Sequence, residues 1–87
     1  MPRYNIIRAQ RNAKKIGVVV KPSTRKGKKV DVFSKDGKKL ASIGDVNYYD
    51  FTITRDKKRQ AAYQARFAKT RNKVGTPSYY ADRILWR

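Results

Sequence analysis

Eighty-seven residues with a formal net charge of +17, from 23 Lys and Arg against six Asp, allow one small domain with a thin core and call for something anionic to offset self-repulsion. His, Cys and Glu are absent, which removes the commonest general base, the thiol nucleophile, disulfides and the soft zinc ligands, so the composition argues for binding and against catalysis. The longest purely aliphatic run, Val18 to Val20, falls far short of the roughly 20 residues that span a bilayer.

Residues 1–15 form a first zone. Met1-Pro2-Arg3-Tyr4 has no apolar signal-peptide core, and the stretch lacks the serines and periodicity of a transit peptide. Arg3, Asn5, Arg8, Gln10, Arg11, Asn12, Lys14 and Lys15 alternate around only Tyr4, Ile6 and Ile7. So few large apolar side chains predict a basic arm that orders only on a partner, or a loose terminus, with a single domain over 16–87.

A three-stranded antiparallel meander is predicted from about 16 to 44. Ile16 to Val20 is β-branched apart from Gly17, and Pro22 ends that strand. The loop to Lys29 carries Arg25, Lys26, Lys28 and Lys29. Val30–Ser34 and Lys39–Ile43 flank Asp36-Gly37, a strong two-residue type I′ hairpin signal. That loop pairs Phe33 with Leu40, Val32 with Ala41 and Val30 with Ile43, which puts Val30, Val32, Ala41 and Ile43 on one buried face.

Val46 to Ile53 is aromatic-rich and reads as a further strand or a packed crossing loop. Thr52 or Thr54 then serves as N-cap for a helix over 54–70, with Asp56 in its first turn. Arg55, Lys58, Arg59, Arg66 and Lys69 fall within one arc of about 100° at helical spacing. Tyr63 and Phe67 point elsewhere. Thr76-Pro77 opens a last short helix whose Tyr79, Tyr80, Ala81, Ile84, Leu85 and Trp86 lie almost all round it. Such a helix must be covered, either by the chain's own sheet or by a partner's pocket. The fold class is therefore α+β, and Trp86 is expected to be substantially buried.

No cofactor or metal is expected. Asp45, Asp50 and Asp56 are the only closely spaced acids, and no nuclease motif frames them; a turn accounts for Asp45 and helix capping for Asp56. No glycine-rich phosphate loop occurs. The candidate polyanion contacts are Arg25, Lys26, Lys28, Lys29, Arg55, Lys58, Arg59, Arg66 and Lys69, and the candidate partner contacts are Tyr79, Tyr80, Ile84, Leu85 and Trp86. Tyr48, Tyr49, Tyr63 and Phe67 would suit base stacking, yet so thin a core needs them, and core duty is the expected role.

The order Val20-Lys21-Pro22-Ser23-Thr24-Arg25-Lys26, Lys29-Val30-Asp31-Val32, Gly37-Lys38, Ile43-Gly44-Asp45 and Tyr49-Asp50-Phe51 continues with Asp56, Arg59 and Tyr63. It ends in Gly75-Thr76, Tyr79-Tyr80-Ala81-Asp82 and Ile84-Leu85-Trp86. Over about residues 18–86 this resembles small basic, mostly uncharacterised proteins encoded by large double-stranded DNA viruses. Many of those carry Arg-His where this chain has Arg66-Phe67. The resemblance implies a setting, the virion or the cytoplasm or nucleus of an infected cell, and no catalytic activity. The expected function is a small structural virion protein, minor capsid or internal. Its arm and tail would hold neighbouring capsid or virion proteins, and its basic face would offset charge on them or on packaged DNA. The alternative is a free nucleic-acid-binding module, a ribosomal-type RNA binder or a DNA-condensing protein. Either way the contact would be independent of base sequence, with no small-molecule substrate and no membrane span.

Overall fold

Residues 4–87 are described in a computed structural model, and the chain runs α1 (Ile6–Lys15), β1 (Val19–Pro22), β2 (Lys28–Phe33), β3 (Lys39–Asp45), α2 (Phe51–Thr54), α3 (Lys57–Arg66) and α4 (Pro77–Leu85). The fold is α+β. One antiparallel sheet has the order β1-β2-β3, so Pro22 sits on an edge strand, where its missing N–H leaves no gap in the ladder.

Val20 pairs with Val32 and Val30 with Ile43 across the ladders, which places all four on one face, and all four are buried. Two helices cover that face. α1 packs on β1 and on α4, while α4 packs on β3. Ala9 and Ala13 of α1 and Tyr80, Ile84 and Leu85 of α4 complete the core.

The first zone thus departs from expectation. Residues 1–3 of the expected arm lie outside the described residues, but Ile6–Lys15 is a helix docked on the chain's own core. Asn5 caps it by accepting from the Arg8 N–H at 3.1 Å, and Lys14 and Lys15 suit its negative end. The contact is made by Ala9 and Ala13, whose small side chains let the helix backbone approach closely, by the half-buried Tyr4, Ile6 and Ile16 packed against the same core, and by Asn12, whose Nδ2 donates to the Ile84 carbonyl at 3.0 Å. Counting large apolar residues missed it. Because Ile16 ends α1, the first strand begins at Val19 rather than at 16.

The hairpin is also corrected in its turn. Gly37 N–H donates to the Ser34 carbonyl at 3.0 Å and Ser34 N–H to the Lys38 carbonyl at 2.8 Å, which closes a three-residue loop over Lys35–Gly37. Gly37 has φ +92° while Asp36 stays out of the positive-φ region, so this is a type I turn with a glycine bulge and not type I′. Phe33 accordingly pairs with Lys39, not Leu40. A second irregularity between Val32 and Phe33 restores the pairs Val32–Ala41 and Val30–Ile43, as expected.

Beyond β3, residues 46–50 are turn and loop, α2 occupies the end of the stretch expected to be a strand or crossing loop, and the helix expected over 54–70 is the shorter α3. Asp50 caps α2, and Arg55 ends it in the left-handed region at φ 55°. Asp56, not Thr52 or Thr54, caps α3 through its Oδ1, which accepts from Lys58 N–H at 2.9 Å and Arg59 N–H at 3.3 Å. Lys69 lies past the end of α3. Thr76 and Pro77 open α4 as predicted, with Thr76 Oγ1 accepting from Tyr79 N–H at 3.2 Å. Asp82 is fully buried in α4, where Arg71, Arg83 and Arg87 all approach its Oδ2. Its Oδ1 has no hydrogen-bond partner among the described residues.

Candidate polyanion interface

α3 buries none of its residues, unlike every other helix of the chain described here. Lys57, Lys58, Arg59 and Arg66 are exposed along it, with Arg55 just before and Lys69 just after. Aromatic rings seat several of these cations. The Arg66 guanidinium lies 5.4 Å from the Phe67 ring centre, and Lys57 Nζ and the Arg55 guanidinium lie 5.5 and 5.8 Å from that of Phe51.

One side of α3 is anchored. Tyr63 stacks on Trp86 with ring centres 4.6 Å apart and planes 9° off parallel, and on its other side meets Phe67 at 4.7 Å. Gln60 Nε2 donates to the Trp86 carbonyl at 2.6 Å. Burial, assisted by the Asp82 carboxylate, pushes the Tyr63 phenol up to about 12, so it stays neutral in this stack.

The remaining predicted cations divide. Arg25 and Lys26 are exposed in the loop between β1 and β2, and Lys28 is half-buried at the start of β2. Lys29 does not belong with them. It is only 4% exposed, and its Nζ lies 2.9 Å from Asp50 Oδ2 in a buried ion pair. Gly44 makes the room: with φ +81°, a Cβ there would stand 2.9 Å from Lys29 Cδ and 2.7 Å from Leu85 Cδ1. A buried ammonium needs such a partner, so Lys29 serves the fold and not a ligand.

The three acids weighed for a metal have separate duties. Asp50 holds Lys29 and caps α2, Asp56 caps α3, and Asp45 accepts from Asn47 N–H at 2.8 Å.

The partner contacts predicted at the C-terminus are largely internal. Tyr80, Ile84 and Leu85 are core residues, because α4 is the element that covers β3. Trp86 is half-buried under Tyr63, and half-buried Tyr79 meets Tyr80 edge-on at 5.5 Å, with the Arg83 guanidinium 5.0 Å from its own ring centre. The covering surface is the chain's own. Tyr48 and Tyr49, expected in the core, are exposed instead, Tyr48 by 67%. Tyr63 and Phe67, expected there too, are half-buried in the stack with Trp86 and outside the core.

Arg8 and Arg11, expected only as cations of a basic arm, are presented by α1 beside Arg55. Ala9 and Ala13 at i and i+4 were the available signal for an ordered helix there. Among the described residues no helix is long and apolar enough to cross a membrane.

Residues 18–67 match the model of a family of unknown function (DUF5754). No curated protein and no solved structure matches the chain.

Proposed function

The chain belongs to this family, whose description carries no activity, and from the geometry we propose that it is a non-enzymatic, sequence-independent binder of nucleic-acid backbone. In the setting that the viral resemblance implies, it acts as an internal structural protein of a virus particle and offsets the charge of packaged DNA. The observation that carries the reading is α3, a helix that buries none of its own residues yet holds Lys57, Lys58, Arg59 and Arg66 toward solvent. A helix the core does not need has its use at its surface. Internal docking of α4 turns the reading away from a tail that plugs into capsid neighbours and toward the packaged polyanion.

The test is the salt dependence of DNA binding. Each phosphate contact contributes roughly 0.9 to the log–log slope on duplex DNA, so Lys58→Gln/Arg59→Gln/Arg66→Gln should flatten the slope by about 2 to 3. Random and defined duplexes should bind alike, since phosphate contacts carry no sequence information. An unchanged slope would reduce α3 to a solvated face. Co-sedimentation with nuclease-treated particles tests the virion setting separately.

A further inference from the structure

We infer that the cleft between α1 and α2 is a phosphate subsite for the nucleic-acid backbone, with Arg8, Arg11 and Arg55 as its anion-binding side chains. This rests on the polyanion reading and adds to it a built contact point away from α3. The cleft, of about 210 Å³, is lined by these three arginines with Asn5, Ile7 and Thr52.

Its floor is fixed by a relay that crosses three elements. Asn5 N–H donates to Thr52 Oγ1 at 2.8 Å. The Thr52 hydroxyl donates to Asp50 Oδ1, and so does the Thr52 N–H, at 2.9 Å. Asp50 Oδ2 accepts from Lys29 Nζ. The buried Lys29–Asp50 pair therefore sets α1 and α2 against the sheet, and with them the arginines that the two helices carry. Arg8 is steadied further, its Nε donating to the main-chain oxygen of Arg87 at 3.0 Å. That bond uses one of five guanidinium N–H donors.

The electrostatics are one-sided. No acid lines the cleft, and Asp50 behind Thr52 is engaged by Lys29 and Thr52. The positive end of the α1 dipole lies here, its first turn has no acid, and Arg8 stands where a carboxylate would be favourable. Arg55, the only non-glycine residue with positive φ among those described, adds the third charge. Cations gathered at a helix N-terminus repel one another, and an anion seated among them offsets that repulsion. Arginine forks bind the paired oxygens of phosphate and of carboxylate alike, and the partner already inferred supplies phosphates.

The test uses the full-length protein and inorganic phosphate, titrated at constant ionic strength against chloride, with amide NMR shifts as the readout. Expected are saturable shifts confined to Asn5, Arg8, Thr52, Arg55 and their neighbours. Arg11→Gln and Arg55→Asn should each weaken phosphate binding on the order of tenfold, the effect of one lost charge-assisted contact. Asparagine tolerates the left-handed backbone at 55, and both variants should melt no lower than the parent, since each relieves repulsion. Lys58→Gln/Arg59→Gln/Arg66→Gln should keep the phosphate titration while losing DNA affinity. If the cleft variants bind phosphate as the parent does, or if polyglutamate saturates the cleft at lower concentration than a DNA oligonucleotide does, the subsite is wrong and the α3 reading stands. If the parent binds neither phosphate nor DNA, both fall.

Discussion

Lys29 and Asp50 look like surface residues in the sequence, one in a run of cations and the other in an acid-poor aromatic stretch, yet each is almost completely buried against the other. A lone charge left in that position is costly, whereas the pair itself contributes little net stability. Lys29→Met should therefore destabilise the protein by about 3–5 kcal/mol in urea denaturation, the range for breaking a buried pair. Mutating an exposed cation such as Lys26 should change stability by under about 0.5 kcal/mol. Asp31, two residues along the same strand from Lys29, gives a pH-dependent counterpart. Burial alone would raise its pKa, but hydrogen bonds from Ser23, Ser42 and the Thr24 N–H, with Lys39 at 3.5 Å, outweigh it and hold the carboxyl at about 2. A carboxyl that titrates lower when folded stabilises fully above its ordinary value of 3.8, and that share is lost as pH falls toward about 2. Removing one donor with Ser42→Ala should raise the Asp31 pKa in an NMR titration and move acid unfolding to higher pH; an unmoved Asp31 titration would show that the serine contact is incidental.

At the scale of elements, what was legible followed from strong local chemistry. Thr76-Pro77 announces α4, and the alternation around Val30–Ile43 announces a hairpin with the right core face. The register of that face survived a wrong turn type because two one-residue irregularities, the glycine bulge at Gly37 and the shift beside Phe33, cancel. No composition rule shows such a pair in advance. Of the five cations expected on one helical arc, Lys58, Arg59 and Arg66 lie in α3 while Arg55 and Lys69 fall outside it, and the break at Arg55 was not legible, since a left-handed arginine has no sequence mark. Nor was the α1 half of the cleft, because Ala9 and Ala13 register as weak hydrophobes however deeply they pack. α3 hangs on few contacts, chiefly the Tyr63–Trp86 stack and the Gln60 bond to the Trp86 carbonyl. Trp86→Ala removes a stack worth about 0.5–1.5 kcal/mol beyond its area. It should speed hydrogen exchange across 57–66 while β2 and β3 keep their protection. Uniform loss of protection would mean that α3 is integral to the core after all.

For the molecule as a whole, the part that matches the family model and the part that folds are different lengths of chain. Residues 18–67 hold the sheet, α2, α3 and the Lys29–Asp50 pair, but neither helix that covers Val20, Val30, Val32 and Ile43. Without those helices the apolar face of the sheet stands bare in water, and each core side chain left exposed forfeits roughly 1.5–3 kcal/mol. The two ends also hold each other: Asn12 donates to the main-chain oxygens of Ile84 and Arg87, and Arg8 to that of Arg87. A peptide of residues 18–67 should therefore show no cooperative melt by circular dichroism, and chains lacking residues 1–15 or truncated after Asp82 should each lose theirs. The first deletion is the sharper. Were 1–15 only a basic arm, its removal would leave melting intact and weaken polyanion binding alone; as α1 it takes Ala9 and Ala13 out of the core and Arg8 and Arg11 out of the cleft, so fold and binding should fail together. A shortened protein that melts like the parent would return the first fifteen residues to the role of an arm and remove the floor from the proposed phosphate cleft.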